Sequence, residues 1–290
     1  MDRSNFLIET SALAARLDDP ALRIVDMRGY VRTTELDGVQ HAEYVGAREE
    51  YEQSHIPGAV YIDWTRDIVD LTDPVEAQVA PPRRFAEAME RLGIGDEHLV
   101  VVYDTHPASQ FATRLWWALN YYGHSRVVIL NGGLRKWQRE NLPMTAAIAS
   151  YPPATFTPSE QPQLRATADD VLALLHQPGV ALVDARDKGQ YTGAVTREHG
   201  RAGRIPGALN IPREELLDAA AGTFRSNEEL SQVFSQAHLS PSEHIVAYCN
   251  GGVAATTVLF SLAMLGYPSL TNYDGSWNEW GSRQDLPVER

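Results

Sequence analysis

Short apolar runs alternate with longer stretches of helical spacing along the whole chain. In the second half, residues 180–184 and 244–248 are brief, largely apolar runs of strand length. Residues 167–175 carry apolar side chains at helical intervals, with Thr167 placed as N-terminal cap. Residues 227–238 follow Ser226 and carry Glu229, the pair of a capping box. Residues 254–265 form an apolar helix stopped by Gly266, and 269–272 read as a last strand. The first half repeats this order, with strands at 24–26, 99–103 and 127–130 and helices at 83–92 and 111–122, the second stopped by Gly123. Apolar strands separated by helices predict an α/β fold in which each half is a parallel sheet covered by helices on both faces.

The motifs repeat as well as the elements. Asp26-Met27-Arg28 is answered by Asp184-Ala185-Arg186, and His55-Ile56-Pro57-Gly58-Ala59 by Arg204-Ile205-Pro206-Gly207-Ala208. Val101-Val102-Tyr103-Asp104 pairs with Val246-Ala247-Tyr248-Cys249, and Asn131-Gly132-Gly133-Leu134 with Asp274-Gly275-Ser276-Trp277. The spacing between copies falls steadily along the chain, so the first copy carries insertions, chiefly between Arg28 and His55. A repeat this long is a domain duplication rather than a solenoid. The expected division is a first domain at 1–145, a proline-rich linker at 146–163 and a second domain at 164–290.

Composition narrows the function classes. Of the 290 residues, 43% are hydrophobic and 22% charged, which is globular composition. The net charge of −13 disfavours nucleic acid and anionic membranes as partners. No secretory signal and no membrane-spanning apolar run is read, so a cytoplasmic location is expected. The histidines lack metal-ligand spacing, and neither a metal nor another cofactor is expected.

Cys249 is the only cysteine. It follows a buried strand and precedes Asn250-Gly251-Gly252-Val253 and a helix. Ligands of parallel α/β sheets bind beyond the carboxyl ends of strands. A loop with two glycines can turn its N–H groups inward, and the helix N-terminus adds positive potential. A thiol placed there is expected to react as thiolate.

These strings resemble the tandem rhodanese family, which covers thiosulfate and 3-mercaptopyruvate sulfurtransferases. The most specific are Tyr248-Cys249-Asn250-Gly251-Gly252-Val253 and Tyr273-Asp274-Gly275-Ser276-Trp277-Asn278-Glu279-Trp280-Gly281. The resemblance implies two rhodanese-like domains, with the second catalytic and the first, carrying Asp104 at the cysteine position, a structural partner. It implies an active site at the junction, where Cys249 takes sulfur from a small anionic donor and passes it to a thiol or cyanide. The amides of Asn250, Gly251, Gly252, Val253 and Ala254 would hold the persulfide, and Arg186 and Arg197 are candidates for the donor's anionic end. Arg186 equally fits an ion pair with Asp184 or Asp187, and Arg28 and His55 read as structural. The donor signatures of the family are incomplete: Asn250 and Gly251 replace the basic pair of animal thiosulfate enzymes. Gly251 and Gln78 or Ala77 replace the Ser and His of mercaptopyruvate enzymes, although Asp63 is retained. Two alternatives stand beside this reading. A Cys-loop phosphatase or arsenate reductase needs an Arg six residues after the cysteine, where this chain has Ala255. A non-catalytic module would use the same loop to hold a persulfide or a partner thiol.

Overall fold

The computed structural model describes residues 2–198 and 200–290. The first half runs β1 (Leu7–Ile8), α1 (Thr10–Ala14), β2 (Leu22–Asp26), β3 (Gly29–Leu36), β4 (Val39–Gly46), α2 (Arg48–Gln53), β5 (Ala59–Tyr61), α3 (Pro82–Arg91), β6 (Leu99–Tyr103), α4 (Gln110–Tyr121), β7 (Val127–Leu130) and α5 (Gly133–Arg139). The second runs β8 (Arg165–Ala166), α6 (Ala168–Leu174), β9 (Val180–Asp184), α7 (Lys188–Thr192), β10 (Thr196–Arg197), β11 (Leu209–Asn210), α8 (Asn227–Gln236), β12 (His244–Tyr248), α9 (Ala255–Leu265), β13 (Leu270–Tyr273) and α10 (Ser276–Trp280).

Each half builds a five-stranded sheet whose pairings are all parallel. The orders, β5-β2-β6-β7-β1 and β11-β9-β12-β13-β8, are the same topology met twice, so the duplication read from motifs is also one of architecture. Parallel neighbours need crossovers, and helices supply them, which buries both faces of the sheet. Local signals hold where they were strongest. Thr167 with Asp170 and Ser226 with Glu229 form capping boxes. Gly266 ends α9 in the left-handed conformation at φ 87°.

The extra residues of the first copy form a β-hairpin, β3–β4, which the periodicity did not reveal. Its turn is Asp37-Gly38, both at positive φ. Asp-Gly is the residue pair that such tight hairpin turns favour. The hairpin leaves its own sheet, and β4 pairs in parallel with β10, so a three-stranded sheet bridges the two halves. Residues 146–161 form neither helix nor strand. They lie against the first half, with Phe156 buried and the Tyr151 hydroxyl donating to Gly58 O at 2.8 Å.

The halves meet along α4 and α9. Phe111 and Leu115 share one buried apolar cluster with Val258 and Phe260. Inside it, the Thr113 hydroxyl bonds those of Thr256 at 2.9 Å and Thr257 at 3.2 Å. Beneath the Cys249 loop, Arg114 of α4 pairs with Asp274 at 2.6 Å. It also donates to Gly252 O at 3.2 Å and Ala77 O at 2.8 Å. Both partners of that pair are buried.

Candidate active site

Cys249 is the residue immediately after β12, which lies between β9 and β13. Its thiol is nearly buried yet forms part of the wall of a cleft of about 270 Å³. Asn250, Gly251, Val253 and Ala254 line the same cleft.

The peptide planes of the loop are pinned from outside. Trp277 N–H donates to Cys249 O at 3.1 Å and Asn278 N–H to Asn250 O at 2.8 Å. Gly252 O accepts from Arg114 and from Asn272 Nδ2, the latter at 3.0 Å. In a trans peptide the N–H of the next residue points opposite to the carbonyl. The N–H groups of Asn250, Gly251 and Val253 therefore face away from these partners. Among the described residues, those three and Ala254 N–H donate to no oxygen. The Gly252 amide is the exception among the five loop amides, because it is already bonded within the protein. It donates to Ser276 Oγ at 3.0 Å, as does Cys249 N–H, while that hydroxyl donates to Tyr273 O at 2.8 Å. Gly252 is required here, because it sits at φ 69° and a Cβ would lie 2.6 Å from Asp274 O.

The first half supplies the opposite wall. Val31, Gln40 and Tyr44 come from the hairpin, and Trp64, His106 and Gln110 from the body. Asn250 Nδ2 donates to Gln190 Oε1 at 3.0 Å, and Gln190 Nε2 to Gln40 Oε1 at 2.7 Å, so a chain of amides links the hairpin to the Cys249 loop. The Tyr44 hydroxyl accepts from Asn278 Nδ2 at 3.1 Å, and burial holds its pKa above the usual range.

The arginines divide. Arg197 lies in the cleft wall, placed by the pairing of β10 with Gln40. Arg186 does not reach the cleft. Its Nη2 pairs with Asp184 at 2.6 Å and donates to Gly203 O at 2.8 Å, and its guanidinium lies 4.4 Å from the Trp277 ring. The Asp-x-Arg spacing folds the fork back onto the carboxylate at the strand end. Arg28 does the same with Asp26. Of the two readings the sequence left open for Arg186, the ion pair with Asp184 is formed, through both Nε and Nη2. The second cation of the cleft is Arg213, which the sequence reading missed. It pairs with Glu214 at 2.8 Å, and its buried Nε has no partner among the described residues. Asp63 and Gln78 lie outside the cleft: Asp63 accepts the Thr65 amide at 3.0 Å, and Gln78 Nε2 donates to Asp274 O at 3.0 Å. His55 is fully buried, its ring nitrogens facing the carbonyl oxygens of Tyr51 and Ala147.

At the corresponding place in the first half, Asp104 fills its own loop. Its carboxylate accepts amide N–H groups from Phe111 and Ala112 at 2.9 Å and His106 at 3.0 Å. Burial pushes this carboxyl up to about 7 against the pull of those three amides. The amides at the start of α4 are thereby used internally, and no thiol is present.

A family model described as the rhodanese-like domain matches residues 9–140 and 167–283. Over 279 residues the chain is 36% identical to the 3-mercaptopyruvate sulfurtransferase of Escherichia coli K12, covering 96% of this chain and 95% of that protein. It is 33% identical over 268 residues to the thiosulfate sulfurtransferase of Rattus norvegicus, covering 91% and 86%. The crystal structure of SseA from Escherichia coli, a protein with the rhodanese fold, superposes with a TM-score of 0.82 at 32% identity, covering 94% of this chain and 98% of that one. The chain belongs to the rhodanese family, with two such domains in tandem. Its class of reaction is sulfur transfer.

Proposed function

We propose that Cys249 carries the transferred sulfur as a persulfide, formed in the cleft between the halves and released to a thiol or cyanide. The observation that carries this reading is the loop itself: the sole cysteine borders a cleft beside amides whose carbonyl neighbours are pinned away from it. The thiolate attacks the outer sulfur of the donor, the leaving anion departs, and the N–H groups of Asn250, Gly251, Val253 and Ala254 face the charge left on the terminal sulfur. Arg197 and Arg213 hold the anionic end of the donor, since forked donors suit carboxylate and sulfonate oxygens. Thiosulfate and 3-mercaptopyruvate, the compounds in the relatives' names, both present such an end. Among the described residues no helix is long and apolar enough to cross a membrane. A cytoplasmic location suits a chain that works through one free thiol, because that compartment keeps thiols reduced.

The test is steady-state kinetics with each donor and with cyanide as acceptor. Parallel double-reciprocal lines and loss of turnover in Cys249→Ser are expected. Intersecting lines, or residual turnover in that variant, would remove the covalent intermediate from the account.

A further inference from the structure

His106 stands in the cleft wall with no task in this scheme. It comes from the first half, two residues beyond Asp104, and its ring shares the cleft with Cys249 and Arg213. Its Nδ1 accepts the Ala108 amide at 3.0 Å. A neutral imidazole has one donor and one acceptor nitrogen, so that bond puts the proton on Nε2. Burial, and then the charges of Arg213 and Arg135, hold the ring down at about 3, so it stays neutral. Phe111 meets it edge-on with centroids 5.6 Å apart. Among the described residues Nε2 bonds to nothing. A second polar atom of the same wall is also unspent: Asn250 Oδ1 is buried without a hydrogen-bond partner.

We propose that His106 is a neutral electrophile for a 2-oxo thiol donor, its Nε2–H bonding the ketone oxygen and holding the enolate formed as sulfur leaves. This rests on the sulfur-transfer reading above. The Cys249 thiolate forms an S–S bond with the donor sulfur while the C–S bond breaks. The electron pair of that bond moves onto carbon and through it to the ketone oxygen. The thiol proton stays on the outer sulfur, within the reach of an acceptor such as Asn250 Oδ1. The enolate then takes one proton and leaves as the 2-oxo acid. The cysteine sulfur is oxidised and the donor carbon reduced by the same pair, so no outside oxidant enters. A neutral N–H stabilises the growing oxyanion without adding charge to a cleft that already holds Arg197 and Arg213. Thiosulfate has no ketone, and its leaving sulfite gains nothing comparable. His106 is therefore a specificity group for the oxo acid.

The experiment compares kcat and KM for 3-mercaptopyruvate and thiosulfate in the full-length protein, His106→Phe and His106→Gln, with thermal melts of each. Removal of the donor in His106→Phe is expected to lower kcat with 3-mercaptopyruvate about 100-fold, the loss usual for one oxyanion donor, with KM little changed. Thiosulfate turnover should change by less than about 3-fold, and His106→Gln, which keeps an N–H, should recover much of the loss. If His106→Phe fails to fold, His106→Leu takes its place. Equal losses with both donors, no loss, or a wild-type protein that accepts sulfur from thiosulfate alone would overturn the proposal. Persulfide from neither donor in the wild type would overturn the sulfur-transfer reading as well, and so marks the different failure.

Discussion

Ser276 accepts two buried amide N–H groups on one hydroxyl, those of Cys249 and Gly252. Ser276→Ala strands both, at about 1–3 kcal/mol each. The expected outcome is a lower urea midpoint together with slower sulfur loading. Loading that falls with no change in the midpoint would assign Ser276 a direct contact with sulfur instead. The arginines should separate in the same pair of measurements. Arg213→Ala is expected to raise the donor KM about tenfold at unchanged melting temperature, in line with about 1.4 kcal/mol for one charged contact. Arg186→Ala leaves Asp184 buried without its partner, so about 3–5 kcal/mol of stability should go while KM in the surviving enzyme holds. Titration adds a third signature. The folded pKa of His106 lies at about 3, below its unfolded value of 6.5, so folded His106 resists protonation and stability is lost as pH falls from 6.5 towards 3. His106→Gln should flatten that acid limb in melts taken across the range. At this scale Cys249 was legible because strand, cysteine, paired glycines and helix are adjacent in sequence. Arg186 could be read two ways, because Asp-x-Arg suits a strand-end ion pair as well as a ligand site. His106 and Arg213 carried no local signal: His106 comes to the cleft only through the packing of the first half on the second, and Arg213 only through the path of the chain after β11.

Among the elements, the hairpin decides the shape of the cleft. It places Gln40 against Gln190 and Tyr44 against Asn278, and its edge holds β10 and with it Arg197. Gln40→Ala cuts the amide chain to Asn250 while sparing the strand pairing. It is expected to lower kcat/KM several-fold with little effect on melting, whereas an unchanged kcat/KM would make the chain incidental. The core strands and long helices were legible from periodicity because each repeats its pattern over several residues. The hairpin was not: it is half-exposed and pairs across the halves, so its burial pattern follows neither strand nor helix period cleanly. Asp37-Gly38 was the available clue, a turn signal inside what read only as inserted length.

For the whole molecule, duplication made the architecture readable, because each half supports the reading of the other. It also explains the division of labour. One loop keeps a thiol beside unspent amides, and its twin closes on the carboxylate of Asp104. The interface between the twins was invisible in sequence, since Arg114 and Asp274 lie far apart in the chain yet form a buried pair beneath the Cys249 loop. Arg114→Met is expected to destabilise the protein by about 3 kcal/mol, because the buried Asp274 carboxylate loses its 2.6 Å ion pair and keeps Arg165 at 3.3 Å and the Val79 amide, and to slow sulfur loading as Gly252 O loses one of its two donors. A variant stable and fully active would show that the halves are merely docked.

The most direct measurement of the central claim is intact mass after brief exposure to a sulfur donor. The wild-type protein should gain one sulfur atom, lose it on addition of cyanide, and fail to gain it as Cys249→Ser. A wild-type mass that never changes under a donor it turns over, or sulfur retained by Cys249→Ser, would contradict the persulfide on which the account stands.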